Sequence, residues 1–394
     1  MGDTTRTGWI GITLLLSKGY FLRQNKIRRT AFFVLILLSI LATLLCQSEQ
    51  NTWAASAVDH ATYNNTAPLI VTWTAYPAHC DREAELLMPA AKSCLYQCEF
   101  VDREGQKLHS RKASAYLIHG LSINFFDLPK QSTEHLIILL MRESPLELEK
   151  WSDDRIYRVP KNYFNATMTY RKESRYFYAY GQFEMRTAND AVESVITQDQ
   201  LLTSLKKKTN GSLLFISICN SASKREQKIR ELRKFTEITT RGRCEKKLAI
   251  NGSATNSECK SNCKDHELIA THRFYIAFEN SNCDGYITGK FYHRISQLLV
   301  PVVLKRRIYE DAGIPPTSFI AADDFDSLED LGKHLNYLRK NDTAYLRYFE
   351  WTKRYRKPDV YETNAMCKLC EDIYKGNRMI VDDIKKHFSK DQCI

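Results

Sequence analysis

The sequence predicts an α/β protein with two domains, each built on a parallel sheet. One observation is a strand, loop, helix and strand unit in residues 274–304, where apolar runs at Phe274–Phe278 and Leu299–Leu304 flank a turn at Asp284-Gly285. Further apolar runs lie far from it, at Leu136–Met141 and Leu213–Ile218. Short continuous apolar runs are typical of strands buried on both faces, so helices should cover both sides of each sheet.

Composition fits a globular protein of this size. The chain has 394 residues, of which 43% are hydrophobic and 26% charged, and this length allows a membrane anchor and two domains. The net charge is +11, but residues 1–30 alone hold six basic side chains against one acidic one. The remainder is modestly basic and carries no nucleic-acid-binding motif, which argues against nucleic acid and fits a small anionic substrate.

An uncharged apolar stretch, residues 31–46, predicts a single transmembrane signal anchor at 30–46, between a cytoplasmic tail (1–29) and a polar stem (47–67). Sixteen residues suit the thinner membranes of the early secretory pathway. The basic cluster before the stretch places the amino terminus in the cytosol and the rest in the lumen. A cleaved signal peptide, cut near Ala54-Ala55, is the alternative, although the leader is long for one.

Sequons and cysteines agree with a lumenal location. Eleven of the twelve cysteines lie beyond the apolar stretch, and secretory compartments favour disulfides. An odd number leaves at least one thiol free or paired between chains. Cys367 and Cys370 have redox or zinc spacing, and zinc would need a second pair such as Cys259 and Cys263. Five glycosylation sequons also follow the stretch, at Asn64, Asn165, Asn210, Asn251 and Asn341.

The first predicted domain contains strands at Leu69–Trp73, Ala113–His119 and Leu136–Met141. Glu143 follows the last of these strands. The carboxyl end of a parallel strand is where a general base would face a cleft, although a lone glutamate there is usually an exposed one. Tyr170 is equally well explained as a core aromatic residue or as a functional one.

Residues 201–212 are basic and polar, and we interpret them as an interdomain linker. The strand at Leu213–Ile218 then opens the second domain. A helix follows from Lys224, with Ser223 as its expected N-cap. Arg225 in the first turn could give a phosphate two parallel hydrogen bonds, or it could be a surface arginine.

The loop at 279–285 should face a ligand, with a helix N-terminus behind it. Tyr286 and Lys290 are four residues apart, so we expect them on one face of that helix. A lysine there suits a phosphate, and a solvated lysine is the plainer alternative. Asp323-Asp324 follows another apolar run, but its spacing is wrong for a D-x-D metal site, so we interpret both as cap and turn residues and predict no metal site.

The segments FYIAFENSNCDGYITGK, VPVVL and SFIAADDF closely resemble the donor-binding signature of the α1,3/α1,4-fucosyltransferases, glycosyltransferase family 10. The stretches FNATMTYR and YLRYFEW are similar to further segments of that family, and the resemblance runs from about residue 90 to 375. It implies a GT-B fold, in which two Rossmann-like domains face a cleft. The expected domains are an acceptor-side domain at 68–205, a GDP-fucose-binding domain at 206–352, and a tail at 353–394 that packs back on the first domain.

The resemblance also implies an activity, which is inverting transfer of L-fucose from GDP-fucose, in α1,3 linkage, to N-acetylglucosamine of glycoprotein glycans in the Golgi lumen. The acceptor would be an N-glycan core or a lactosamine unit. It further implies a structural disulfide role for Cys367 and Cys370. Two cations can do a divalent ion's work, so no cofactor is expected to be required, and stimulation by Mn²⁺ remains open. The implied residues are Glu143 as general base, Arg225 and Lys290 on the diphosphate, Asn280 and Tyr286 on the donor, and Tyr170 and Glu279 as further donor or acceptor contacts.

Gly289 departs from the family pattern, because a glutamate precedes the lysine in the family. A glycine within a helix costs about 1 kcal/mol relative to alanine. Two hypotheses follow. The chain is an active enzyme with an altered rate or acceptor choice, or it is a non-catalytic relative that binds GDP-fucose or glycan. Arg175, where the family often has an aspartate, is a second departure.

Overall fold

Two parallel sheets, each covered by helices, form the framework. The computed structural model describes residues 67–74, 94–152, 155–187, 196–248, 264–358, 363–388 and 390–394. The predicted anchor, most of the predicted stem, Asn64, Asn251, and the cysteine pair Cys259 and Cys263 lie outside the described residues. Within the described ranges, no helix is both long and apolar enough to cross a membrane.

The strands are β1 (Leu69–Thr74), β2 (Glu99–Asp102), β3 (Ala113–His119), β4 (Leu136–Met141), β5 (Ala166–Thr169), β6 (Tyr176–Phe177), β7 (Glu184–Met185), β8 (Asn210–Phe215), β9 (Ile238–Arg241), β10 (His272–Ile276), β11 (Val300–Val303), β12 (Ile320–Ala321) and β13 (Tyr355–Arg356). The helices are α1 (Arg103–Lys107), α2 (Pro145–Ser152), α3 (Gln198–Leu205), α4 (Arg225–Leu232), α5 (Glu245–Leu248), α6 (Asp265–Thr271), α7 (Gly289–Ser296), α8 (Arg306–Asp311), α9 (Leu328–Lys340), α10 (Asp342–Leu346), α11 (Thr363–Tyr374) and α12 (Ile384–His387). Short 3₁₀ turns connect several of these elements.

The first sheet has the order β2-β1-β3-β4-β5-β6, and every pairing in it is parallel. All six residues of the central strand β4 are buried. Its alternate side chains enter two separate apolar clusters, with Ile138 in one and Ile137 in the other. This two-sided burial explains the unbroken apolar run in the sequence.

The second sheet has the order β12-β11-β10-β8-β9 and is also parallel throughout. Phe274 and Ile276 face a cluster that includes α4 and α9, whereas Tyr275 faces a cluster with α7 and α8. The prediction of an α/β protein with two parallel sheets is therefore confirmed.

The predicted linker at 201–212 is wrong. Residues 198–205 form α3, which has a capping box at Thr197 and Gln200. Leu205 of this helix packs in the core of the second sheet, and β8 already begins at Asn210. Of the lysines that suggested a linker, Lys206 and Lys207 are exposed, whereas Lys208 is buried and donates to the Ile269 and His272 carbonyl oxygens.

The expected N-cap of α4 is also wrong. Lys224, with a φ of 54°, precedes the helix and makes no side-chain cap. Ser223 instead donates from its hydroxyl to the Glu279 carbonyl oxygen at 2.6 Å, and Glu226 accepts from the Ser221 backbone N–H. A contact with the loop after β10, remote in sequence, has replaced a local cap.

The carboxyl-terminal helix α11 packs on the first sheet. Met366 and Leu369 lie in the same apolar cluster as β3, β4 and β5. Disulfides join Cys94 to Cys367 and Cys98 to Cys370. Cys367 and Cys370 of the C-x-x-C motif therefore each form a structural disulfide, which contradicts the alternative of a zinc site. The other described cysteines pair as Cys219 with Cys244 and Cys283 with Cys393, so no cysteine in the described part of the chain is free.

Arg175 joins the first sheet to α11. Its Nε and one Nη donate to the two oxygens of Asp372 at 2.8 and 2.7 Å. Asp372 is fully buried and also accepts from Tyr176 and Asn377. The basic residue that departs from the family pattern therefore has a structural partner of opposite charge.

The partly buried Asn165 makes two hydrogen bonds with distant backbone groups. Its Oδ1 accepts from the Ile137 N–H at 2.7 Å, and its Nδ2 donates to the Met379 carbonyl oxygen at 3.1 Å. Nδ2 carries two hydrogens, and this contact uses one of them. Glycosylation of Asn165, Asn210 and Asn341 stays a prediction.

The Asp372 cluster should make the free energy of unfolding depend on pH. Burial acts to raise the pKa of Asp372, but hydrogen bonds from Arg175 and Asn377 outweigh it and lower this pKa to about 2. A carboxylate with a lowered pKa stabilises the fold above its unfolded pKa of about 4, and this contribution is lost as pH falls towards 2. We expect Asp372→Asn to cost about 2 kcal/mol at pH 7, less than a fully buried pair because the Arg175 side chain is 42% exposed.

Denaturant unfolding at pH 7 and pH 3 measures this effect. The difference in the free energy of unfolding between wild type and Asp372→Asn should be smaller at pH 3 than at pH 7. Asp265→Asn, at an exposed position in the first turn of α6, is the matched control. A difference that is the same at both pH values would contradict the assignment.

Candidate active site

The carboxyl ends of the two sheets meet directly. Glu143 follows β4 of the first sheet, and Tyr286 lies in the loop after β10 of the second. The Tyr286 hydroxyl donates to Glu143 Oε2 at 2.7 Å, and next to it the Ser144 hydroxyl donates to the Ser281 hydroxyl at 2.7 Å. These two contacts fix Glu143 at the junction of the sheets, in the place expected for a general base.

The surroundings of Glu143 favour its protonated form more than water does. Burial raises the pKa of this carboxyl, and the nearby carboxylates of Glu147 and Glu279 add to the increase. The Tyr286 hydrogen bond and the positive charge of Lys290 act in the opposite direction. A carboxylate with a raised pKa binds a proton more readily. A general base needs this property to take the proton of the acceptor hydroxyl.

Tyr286 is the donor in its hydrogen bond with Glu143. Burial raises the pKa of its phenol well above the ordinary value, and the Glu143 charge raises it further. The hydroxyl therefore stays protonated. Tyr170 packs behind it, with ring centroids 5.2 Å apart, and is itself buried. The structure thus gives Tyr170 a supporting position, and its direct contact with a substrate stays a prediction.

Lys290 is held by Glu279. The ammonium donates to Glu279 Oε2 at 2.7 Å, and the Thr288 backbone N–H and hydroxyl both donate to Oε1 at 2.8 Å. Glu279 is buried, whereas the Lys290 side chain is 27% exposed. The lysine is therefore accessible and oriented at the same time.

The helix behind this loop begins later than expected. Thr288 caps α7 through its hydroxyl, and Gly289 is the first helical residue. Tyr286 consequently precedes the helix, so the prediction that it shares a helix face with Lys290 is wrong. The turn Cys283–Tyr286, with Gly285 at a φ of 72°, directs Tyr286 towards the first sheet instead.

Arg225 does not present its guanidinium to an open cleft. The residue is 2% exposed and donates to the Phe278 and Ile218 carbonyl oxygens at 2.7 and 3.1 Å. These carbonyls follow β10 and β8, so Arg225 ties together the ends of two adjacent strands. Its predicted position in the first turn of a helix is confirmed, but the expected open geometry for a phosphate clamp is wrong.

Asn280 has a polar atom without a partner. The residue is 2% exposed, and its Oδ1 makes no hydrogen bond with any described group. An orphaned buried acceptor is costly unless a ligand completes it. This observation agrees with the predicted donor contact of Asn280.

Two lysines that the sequence analysis did not select line a cavity of about 230 Å³ at the carboxyl ends of the second sheet. They are Lys228 on α4 and Lys305 directly after β11. The position of Lys305 at the end of an apolar run is a signal that could have identified it. A larger cavity of about 600 Å³ lies at the opposite, amino-terminal ends of the strands and contains none of the predicted site residues.

The acidic pair Asp323-Asp324 binds an arginine. Asp323 Oδ1 accepts from the Arg306 backbone N–H at 2.9 Å, and Asp324 binds the Arg306 guanidinium through both oxygens. The pair therefore acts as turn and cap residues, as predicted. Among the described residues, no group of three or more His, Cys, Asp and Glu side chains is arranged to hold a metal ion.

Comparison with known proteins identifies the family of this fold and site. Residues 65–181 match the family described as "Fucosyltransferase, N-terminal", and residues 205–387 match "Glycosyltransferase family 10 (fucosyltransferase) C-term". Together the two matches span most of the chain. The protein belongs to the glycosyltransferase family 10 fucosyltransferases.

Individual relatives agree with this family. The α-(1,3)-fucosyltransferase fut-5 of Caenorhabditis elegans is 33% identical over 57% of this chain and 57% of its own length. The α-(1,3)-fucosyltransferase fut-1 of the same organism is 31% identical over 73% of this chain and 62% of its own length. The chain thus matches less than two thirds of either relative. A crystal structure of an α1,3-fucosyltransferase with GDP-fucose is 13% identical over 82% of this chain and 94% of that chain, with a TM-score of 0.46.

Gly289, where the family resemblance predicts glutamate, lies at the edge of this site. A Cβ added to it would lie 2.8 Å from Cε1 of His293, one turn along α7. His293 is an exposed side chain, so it can rotate aside. A glycine at the first helical position also costs less than one in a helix interior, because the first-turn N–H groups have no intrahelical partner to lose.

We therefore expect Gly289→Glu and the smaller Gly289→Ala to fold and to be secreted like the wild type. Their free energy of unfolding should change by less than about 1 kcal/mol. Secretion yield and thermal unfolding of the part of the chain after the predicted anchor measure this. Loss of secretion in the glutamate variant, with the alanine variant unaffected, would contradict an open position for residue 289.

Proposed function

We propose that this protein transfers L-fucose from GDP-fucose, in α1,3 linkage, to N-acetylglucosamine of glycoprotein glycans, with inversion at the anomeric carbon. The observation that carries the proposal is the Glu143 carboxylate, held by Tyr286 at the meeting point of the two sheets. The family membership and the names of the relatives support the type of reaction.

Glu143 is the general base. The acceptor hydroxyl attacks the anomeric carbon from the face opposite the departing GDP, and Glu143 takes its proton. One new C–O bond forms while the bond from fucose to phosphate breaks, so the configuration inverts. The Tyr286 hydrogen bond orients the carboxylate, and the second sheet thereby positions the base that the first sheet supplies.

Charge grows on the diphosphate as it leaves. Lys290 is an accessible cation beside the loop, and the N-terminus of α7 adds a positive helix end. The orphaned Oδ1 of Asn280 offers an acceptor for a donor hydroxyl. Electrostatic stabilisation of this kind is often worth several kcal/mol. Arg225 contributes indirectly, by fixing the carbonyls at both strand ends.

The nucleotide would occupy the cavity at the ends of β10, β11 and β12. Lys228 and Lys305 line it together with Asp323 and Asp326, and the Lys305 ammonium lies 3.8 Å from Asp323 Oδ2. The cavity therefore offers both cations and carboxylates to the polar groups of a nucleotide. Two or more cations can do the work of a divalent ion, so the proposal includes no required metal and leaves stimulation by Mn²⁺ open.

The proposed location is the Golgi membrane, with residues 30–46 as a type II signal anchor and the catalytic part in the lumen. The uncharged stretch and the preceding basic residues support this orientation. The four disulfides of the described residues agree with an oxidising compartment.

A non-catalytic role as a GDP-fucose- or glycan-binding protein is the second candidate, and Gly289 is the observation that favours it. Incubating the purified lumenal part with labelled GDP-fucose and a panel of N-glycan and lactosamine acceptors separates the two. Label on at least one acceptor supports the enzyme. GDP binding without any labelled acceptor would favour the second candidate.

Glu143→Gln should abolish most transfer while leaving donor binding intact. The amide keeps the shape of the side chain but cannot accept the proton, and a general base is typically worth about 10²–10⁴-fold in rate. We expect kcat to fall by at least about 10²-fold, with the Kd for GDP within about twofold of wild type. Glu104→Gln, at an exposed position on α1, is the matched control and should leave both values unchanged. Unchanged kcat in Glu143→Gln would reject Glu143 as the base.

A further inference from the structure

The carboxyl-terminal strap, defined as residues 379–388 and 390–394, runs along the first sheet. The Val381 N–H donates to the Phe164 carbonyl oxygen at 2.9 Å, next to the start of β5. His387 Nε2 lies 2.9 Å from the Thr167 hydroxyl. Phe388 is fully buried, with its ring 6.1 Å from that of Tyr170. This part of the strap is therefore fixed to the first sheet.

The end of the same strap is fixed to the second sheet. Cys393 forms a disulfide with Cys283, in the middle of the loop that follows β10. Backbone hydrogen bonds flank the disulfide on both sides, because the Asp284 N–H donates to the Gln392 carbonyl oxygen at 2.9 Å and the Ile394 N–H donates to the Asn282 carbonyl oxygen at 2.8 Å. Residues 392–394 thus pair like a short strand with the loop between β10 and α7. We call this loop, residues 277–288, the donor loop.

The position of Cys283 in the loop gives this attachment a consequence for the site. Cys283 lies three residues after Asn280 and three before Tyr286, and its carbonyl oxygen accepts from the Tyr286 N–H at 3.0 Å. Cys283 and Tyr286 pack in one apolar cluster with Tyr170 and Phe388. Any movement of the loop away from the first sheet would have to carry the strap with it.

We propose that the Cys283–Cys393 disulfide is a positioning element of the active site. It holds the donor loop against the first sheet and so keeps the Tyr286 hydroxyl on the Glu143 carboxylate and Asn280 towards the donor. Neither cysteine touches substrate in this account. The inference concerns the arrangement of the loop, and its link to catalysis rests on the proposed fucosyl transfer.

The physical basis is preorganisation. Besides the disulfide, the loop is joined to the first sheet by the Ser144–Ser281 and Tyr286–Glu143 hydrogen bonds and by the packing of Tyr286 against Tyr170. A covalent tether raises the effective concentration of the loop at the sheet, because the strap is already bound there by Phe388 and its neighbours. Without the tether, the binding-competent arrangement becomes a smaller fraction of the population, and apparent affinity falls by that fraction.

The test compares two disulfide-deficient double variants. In Cys283→Ser/Cys393→Ser we expect the Kd for GDP to rise about tenfold, as when about one tenth of the molecules stay competent. Amide hydrogen exchange in residues 279–288 should become faster. Cys94→Ser/Cys367→Ser, which removes a disulfide between the first sheet and α11, should leave both measurements within about twofold.

Deletion of residues 389–394 provides a second variant and should reproduce the effects of the serine pair. Unchanged exchange in residues 279–288 in both variants would overturn the proposal. So would failure of both variants to fold while the control folds, since the strap would then be a general requirement of the fold. If the wild type transfers no fucose, the proposed function fails, whereas hydrogen exchange still decides the role of the strap.

Discussion

The hydrogen bond from the Tyr286 hydroxyl to the Glu143 carboxylate is the constraint on which the site depends. It joins a residue that follows β4 of the first sheet to one that follows β10 of the second. The proposed base thus comes from the first sheet, and the proposed donor contacts come from the second. The bond sets the distance between these two halves and the orientation of the carboxylate at once.

Burial fixes the protonation state of Tyr286 and therefore the direction of this hydrogen bond. Tyr286 is buried and protonated, so its hydroxyl can donate to Glu143 Oε2. In the same way, the buried carboxylate of Glu279 orients Lys290 and leaves this cation accessible. In the proposed function, these two pairs supply the base and a cation for the leaving diphosphate.

Hydrophobic patterning predicted the framework well. Unbroken apolar runs such as Leu136–Met141 identified strands buried on both faces. The position after such a run made Glu143 a candidate, and the family resemblance gave it the role of base. The runs could not predict where helix α7 begins, because the Thr288 cap and the turn at Gly285 depend on contacts with Glu279 and with the last residues of the chain. The helix therefore starts three residues later than the apolar spacing suggested.

Long-range contacts account for the other differences. Arg225 looked like a phosphate ligand from its place in a first turn, but two carbonyls at adjacent strand ends bury its guanidinium. The sequon at Asn165 gave no sign that its amide pairs with Ile137 and Met379, the latter more than 200 residues away. The sequence could not predict the disulfide partners of Cys367 and Cys370 either, because cysteine spacing does not fix connectivity.

The pH dependence of kcat/KM in wild type and Tyr286→Phe tests the central claim most directly. The acid limb reports the pKa of the base in the free enzyme, and the Tyr286 hydrogen bond lowers that pKa against the effect of burial. Removing the hydroxyl should therefore move the acid limb to higher pH, while an alkaline limb, if present, stays in place. An acid limb at the same pH in both proteins would contradict the assignment of Glu143, held by Tyr286, as the base.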